Sequence, residues 1–216
     1  MPTMLHKRWP QSPSPLPETL PEPLIKPMPK PMPKPLSKPL TQSVAIIGAG
    51  PLGRWLAQAV ARAGFRVLLE DVMPANLHHA QEALRAVLGP EALPNVGFVS
   101  TIEEAVREAD LAIDCVPDEL ESKLEILWLL DRMAPPRTVL ATPTTRLSIT
   151  DLANCTYRPE KCIAIASEAS ALTGGGATEI LLRTTQSTAT ETIELLQRFW
   201  RRLGFHPRFE PEQSIS

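Results

Sequence analysis

One short stretch constrains the fold more than any other. The β-branched run Ser43-Val-Ala-Ile-Ile47 leads directly into Gly48-Ala-Gly50-Pro-Leu-Gly53 and then into a helical pattern. Apolar residues at 52, 55, 56, 59, 60 and 63 line one side of that helix, with Arg54, Gln58 and Arg62 on the other. Gly64 stands where a helix end favours a left-handed residue, and Phe65-Arg-Val-Leu-Leu69 then reads as a second strand closed by Glu70-Asp71. This is a βαβ unit with G-x-G-x-x-G at its first turn. The first glycine lets the chain turn sharply, the second lets a backbone approach a pyrophosphate with no Cβ in the way, and the third lets helix and strand pack closely. The helix N-terminus that follows presents unpaired N–H groups and a partial positive charge to phosphate. Asp71 falls 18 residues after Gly53, where a carboxylate accepts hydrogen bonds from the adenosine ribose. No Arg or Lys in Val72-Met73-Pro74 would hold a 2′-phosphate. These residues predict NAD as cofactor, with contacts at Gly48, Gly50, Pro51, Leu52, Gly53 and Asp71; the alternative is the same fold without its ligand.

Strand and helix signals keep alternating. Helices are expected over 74–88, 101–109, 119–133, around 148–153 and over 190–203, and strands over 96–99, 111–116, 138–141, 162–166, 179–182 and 205–209. The fold class is therefore α/β, a Rossmann-type doubly wound and mostly parallel sheet with helices on both faces. His78 and His79 are adjacent on a helix, about 100° apart, and so make a poor metal pair. Three cysteines, Cys115, Cys155 and Cys162, lack metal-ligand spacing and read as reduced thiols of a cytoplasmic protein. No metal is expected.

The first 40 residues differ from the rest. They hold 13 of the 24 prolines and six Lys/Arg against two Glu, with the rhythm KPMP-KPMP-KPLS-KPL from Lys26 to Leu40. Proline fixes φ and removes a donor, so residues 1–40 are expected to be a disordered, extended Pro/Lys-rich tail. A linker is one role for it and a ligand for a proline-binding protein partner is the other. The Rossmann domain is expected over 41–210, with a C-terminal tail over 211–216. The chain after residue 40 carries 16 basic and 22 acidic side chains, which argues against nucleic acid as a partner. No run of about 18 apolar residues occurs, so no membrane span is predicted. The N-terminus has no apolar run after its basic residues and does not read as a secretory signal.

From Val44 to about His206 the chain resembles the NAD-binding domain of the L-3-hydroxyacyl-CoA dehydrogenases. The resemblance is carried by VAIIGAGPLGRWLAQAVARAGFRVLLED (44–71), TIEEAVREADLAIDCVPDELESK (101–123), LATPTTRLSITDLA (140–153) and RPEKCIAI (158–165). It implies that Asp71 contacts the adenosine ribose, and that Asp118, in the place of the family's Glu, and Lys123 lie near the nicotinamide half of NAD. Unaided, the sequence places Asp118 and Lys123 only after the C-terminal end of a strand, where an open α/β sheet forms its crevice. The alternative for that pair is a helix-start acid and a solvated lysine.

Departures from the family pattern bear on activity. The family's general base is a His at the end of a strand; the resemblance puts Ala166 there. Glu179 matches the Glu that orients the His. The family's Asn-Thr-Ser-Ser becomes Pro143-Thr144-Thr145-Arg146, in which Thr145 retains a hydroxyl for substrate. The family's helical C-terminal domain begins where this chain stops, at Ser216. Glu168 and His206 are weak replacements for the base, so the catalytic candidates are Glu179, Thr145 and Glu168, and whether the chain is an enzyme stays open. The expected function is NAD(H) binding with hydride transfer lost or much reduced. The alternatives are an active 3-hydroxyacyl-CoA or related hydroxy-acid oxidoreductase completed by a partner, and a non-catalytic interaction protein. An acyl-CoA or another small molecule is the expected ligand besides NAD.

Overall fold

The structure, a computed structural model, describes residues 43–174 and 178–212. The tail expected over 1–40 and the last four residues, 213–216, lie outside the described residues. The elements run β1 (Ser43–Ile47), α1 (Pro51–Arg62), β2 (Arg66–Glu70), α2 (Pro74–Val87), β3 (Val96–Val99), α3 (Ile102–Val106), β4 (Leu111–Asp114) and α4 (Leu120–Met133). They continue with β5 (Val139–Pro143), α5 (Ile149–Asn154), β6 (Cys162–Ile165), α6 (Ala169–Thr173), β7 (Glu179–Thr184), α7 (Thr190–Arg202) and β8 (His206–Pro211). The sheet order is β3-β2-β1-β4-β5-β6-β7-β8. The first six strands are parallel, β7 runs antiparallel to β6, and β8 is parallel to β7. The Rossmann-type sheet is thus present, with one reversed pair at its far side.

Strands buried on both faces read as continuous apolar runs, and β1 is buried at all five positions. Its side chains alternate between two cores. Val44 and Ile46 pack with Leu56, Val60, Leu84, Leu196, Phe199 and Trp200 beneath α1, α2 and α7. Ala45 and Ile47 pack with Val106, Leu127, Leu130, Ile149 and Leu152 beneath α3, α4 and α5. Helices therefore cover both faces. On the first face the rings of Phe65, Phe199, Trp200 and Phe205 form a chain of contacts with centroids 5.1 to 5.7 Å apart.

Three polar devices fix the joints. Thr101 and Ser148 cap α3 and α5, each accepting the N–H of the residue three positions on, Glu104 and Asp151. The Arg158 guanidinium pairs with Asp131 at 2.7 Å and donates to the Pro135 carbonyl at 2.6 Å, tying the end of α4 to the turn before β6. Glu212, just past β8, accepts the N–H groups of Ile149 and Thr150 at 2.9 and 2.8 Å and the Ser148 hydroxyl at 3.0 Å. Burial pushes the Glu212 carboxyl up, but those hydrogen bonds outweigh it and hold the group below the usual range.

Candidate functional site

The crevice of an open α/β sheet forms at the carboxyl ends of its strands where the strand order reverses, here between β1 and β4. The Gly-rich turn closes β1 at that point. Gly48 has φ +103°, and a Cβ on it would stand 3.1 Å from the Cys115 carbonyl at the end of β4. A Cβ on Gly53 would come within 1.9 Å of the Gly48 oxygen, so turn and helix meet only because both residues are glycine. A Cβ on Gly50 would meet nothing within 4 Å. It would project into the open side of the turn, into the space a pyrophosphate needs. Gly50 caps α1 without a side chain, and Pro51 has no N–H to present. The N–H groups of half-buried Leu52 and of Gly53 have no intrahelical partner. The residues present fit a dinucleotide.

The end of β2 holds this turn from below. The Glu70 carbonyl accepts the Gly48 N–H at 2.8 Å, and Asp71 Oδ2 accepts the Ala49 N–H at 2.9 Å. Asp71 also accepts the Met73 N–H at 2.9 Å and the Asn76 amide at 3.1 Å. Its carboxylate thus shapes the turn. The sequence reading overlooked Asn76, whose only signal is its place in the first turn of α2.

Glu70 is 5% exposed. Burial, joined by the adjacent charge of Asp71, pushes its carboxyl from 4.5 up to about 7. A raised folded value favours the protonated, folded state. The contribution of Glu70 is thus fully present below about pH 4.5 and is lost as the pH rises to about 7. Urea midpoints of wild type and Glu70→Gln are expected to run level below about pH 4.5, to separate across that window with the variant ahead, and to keep a constant separation above about pH 7. Parallel profiles would remove the buried carboxyl from the account.

At the ends of β4 and β5 lies a fully buried ionic cluster. Lys123 Nζ is 3.2 Å from Asp114 Oδ2 and donates to the Val116 carbonyl at 3.1 Å, and neither side chain has accessible surface. Asp114 also accepts the Val116 N–H and the Thr142 hydroxyl, each at 2.9 Å. Burial pushes the Asp114 carboxyl up, while Lys123, Val116 and Thr142 pull it back. A solvated Lys123 is excluded by this geometry; the lysine instead braces the 115–118 loop. Asp118 on that loop accepts the Thr145 N–H at 3.4 Å, and Arg146 donates to its carbonyl at 3.0 Å. Its other carboxylate oxygen, Oδ1, is buried with no hydrogen-bond partner among the described residues.

The third cluster sits where β6 meets β7. The Ala166 N–H bonds the Leu181 carbonyl at 2.8 Å, and the Ser167 hydroxyl accepts the Leu181 N–H at 2.8 Å, ending the ladder. Residues directly opposite in an antiparallel pair share a face, and so do residues two apart on a strand. Glu179 is therefore a diagonal neighbour of Ala166 on one face. It is exposed, and Arg208 on β8 approaches it at 3.8 Å. Glu168 is exposed at the start of α6, a short helix that the sequence reading left out, and His206 is exposed at the start of β8. Because β7 is reversed, its first residues lie at the same sheet edge as the ends of β1, β4, β5 and β6. Among the described residues no group of three or more His, Cys, Asp or Glu is placed to hold a metal ion.

The family described as 3-hydroxyacyl-CoA dehydrogenase, NAD binding domain, matches residues 43–207. A probable 3-hydroxybutyryl-CoA dehydrogenase of Bacillus subtilis is 32% identical over 135 residues, covering 56% of this chain and 47% of the relative. The L-carnitine dehydrogenase of Burkholderia mallei is 39% identical over 129 residues, 55% of this chain and 40% of its own. Among solved structures, a diketoreductase superposes with a TM-score of 0.74 at 26% identity, covering 82% of this chain and 67% of that one. The chain spans about half the length of the curated relatives it matches.

Proposed function

The chain belongs to the 3-hydroxyacyl-CoA dehydrogenase NAD-binding-domain family, and from that premise we propose that it holds NAD(H) across the β1/β4 crevice with hydride transfer lost or much reduced. NAD, when bound, supplies a nicotinamide ring that accepts or donates hydride. Residues 41–210 form the binding domain. The N–H groups of Leu52 and Gly53 and the open side of Gly50 receive the pyrophosphate, with Gly48 and Pro51 setting the turn. Asp71 takes the adenosine ribose hydroxyls. Asp118 lies toward the nicotinamide half, its Oδ1 accepting a donor there, and Lys123 acts by fixing the loop that carries Asp118.

The observation that carries the loss of hydride transfer is Ala166. Its methyl group stands at the place the family resemblance reserves for an imidazole, and Glu179 has Arg208 beside it in place of a base to orient. Without a proton acceptor, oxidation of a hydroxyl loses on the order of 10²–10⁴ in rate. Thr145 contributes its hydroxyl to a ligand beside the ring. Relatives named for 3-hydroxybutyryl-CoA and for L-carnitine support a small hydroxylated molecule or acyl-CoA as that ligand.

The test is an NADH titration followed by an acetoacetyl-CoA reduction assay on the same sample. Binding at roughly micromolar strength without consumption of NADH is expected. Turnover that survives both Glu168→Ala and Glu179→Ala would overturn the loss of activity. Absence of NADH binding would overturn the whole reading.

A further inference from the structure

We infer that Arg54 is an additional anchor of the dinucleotide, its guanidinium taking an oxygen of the pyrophosphate on the adenosine side; this rests on the NAD-binding reading above. Arg54 is the fourth residue of α1, and its main-chain N–H makes the bond back to the Gly50 carbonyl at 2.9 Å. Its Nη1 donates to the Ala49 carbonyl at 3.0 Å, so the side chain folds back over the tip of the Gly-rich turn. A guanidinium carries five N–H donors, and this contact uses one.

The charge of Arg54 has no local counterpart. No carboxylate lies within ion-pair distance of it among the described residues; Arg62, Arg85, Arg107, Arg132, Arg201 and Arg202 likewise have none but are exposed, whereas Arg54, like Arg183, is half-buried. The first turn of α1 carries no acidic residue. The positive end of the helix dipole favours anions there and disfavours a cation. A half-buried, unpaired arginine in that place breaks a local electrostatic rule, and such breaks are expected where a ligand supplies the missing partner. The ligand required is an anion at the turn.

Direction follows from the helix period. Arg54, Gln58 and Arg62 share a face, and Arg62 donates to the Val87 carbonyl of α2 at 2.8 Å. That face looks toward α2, whose start carries Asn76, the partner of Asp71. Arg54 thus stands on the ribose side of the turn. A 2′-phosphate is a second source of the same chemistry, but the Asp71 carboxylate at the ribose position opposes it.

The full chain and its Arg54→Ala and Arg54→Lys variants should be titrated with NADH, ADP-ribose, 2′-AMP and adenosine. Arg54→Ala is expected to weaken NADH and ADP-ribose by about tenfold or more while leaving adenosine unchanged, and Arg54→Lys to recover part of the loss. The melting midpoint of ligand-free Arg54→Ala should stay level or rise, since a cation leaves the wrong end of a helix; a mere strut for the Ala49 carbonyl would lower it. Equal weakening of adenosine, a loss confined to 2′-AMP, or no change for any ligand would each overturn the assignment. A wild-type chain that binds neither NADH nor ADP-ribose would overturn the NAD reading itself, which separates the two failures.

Discussion

Replacing Lys123 by Met is expected to destabilise the fold by about 3–5 kcal/mol. The loss comes less from the lysine than from what it leaves behind. Asp114 has no accessible surface, and its carboxylate faces Lys123 at 3.2 Å. Without that cation a charge stays buried with only the Val116 N–H and the Thr142 hydroxyl against it. A buried carboxylate in that state either remains ionised at high cost or takes up a proton, and both weaken the native state. The double variant Lys123→Met/Asp114→Asn removes the charge; its amide oxygen still accepts the Val116 N–H, and its NH2 donates to the Thr142 hydroxyl once that hydroxyl turns to accept. It should recover most of the loss, since replacing both members of a buried pair is often close to neutral. Urea unfolding of the wild type, both single variants and the double variant checks this. A single variant within about 1 kcal/mol of wild type would mean that the pair is worth no more than a surface contact.

The second large effect is expected at Gly53. Alanine there would put its Cβ 1.9 Å from the Gly48 oxygen, a backbone atom that moves only if the turn moves. Overpacking of this kind costs about 1–3 kcal/mol, and NADH affinity should fall by tenfold or more as the turn leaves its position under the pyrophosphate. Gly50→Ala is the informative contrast. Its Cβ meets no atom, and its φ of −66° suits any residue. Ligand-free stability should therefore stay the same while NADH binding weakens, because the methyl group occupies the ligand's space. Equal NADH affinity in Gly50→Ala and wild type would move the pyrophosphate away from this turn.

The Gly-rich turn was legible because its constraints are local. Gly48, Gly53 and Asp71 meet through a turn and two adjacent parallel strands, so spacing alone is enough to place them. β1, β4 and β6 were legible because burial on both faces leaves no polar alternation to misread. Lys123 was not, since its side chain could point to water or inward. Only the packing of α4 against β4 decides, and it brings the lysine to Asp114 nine positions earlier in the chain. The grip of Glu212 on α5 spans 62–64 residues and leaves no trace in either segment's pattern. α6 is five residues of Ala-Ser-Ala-Leu-Thr, too short to show a helical period. Strand direction was also hidden, because 179–182 reads alike whether it pairs parallel or antiparallel.

That reversed pairing has a mechanical consequence. The ladder between β6 and β7 is short, with partners at Ala164–Arg183 and Ile165–Leu182 before Ser167 takes over from the main chain. β7, α7 and β8 are held to the rest of the sheet beyond this ladder by ring packing of Phe199 against Phe65, by the Ala189 N–H on the Glu160 carbonyl and by the Glu212 clasp. Amide protons along this joint should exchange through sub-global opening before those of β1 and β4 do. The seam runs between Ala166 and Glu179, so a parting of these two strands would move those two residues relative to one another.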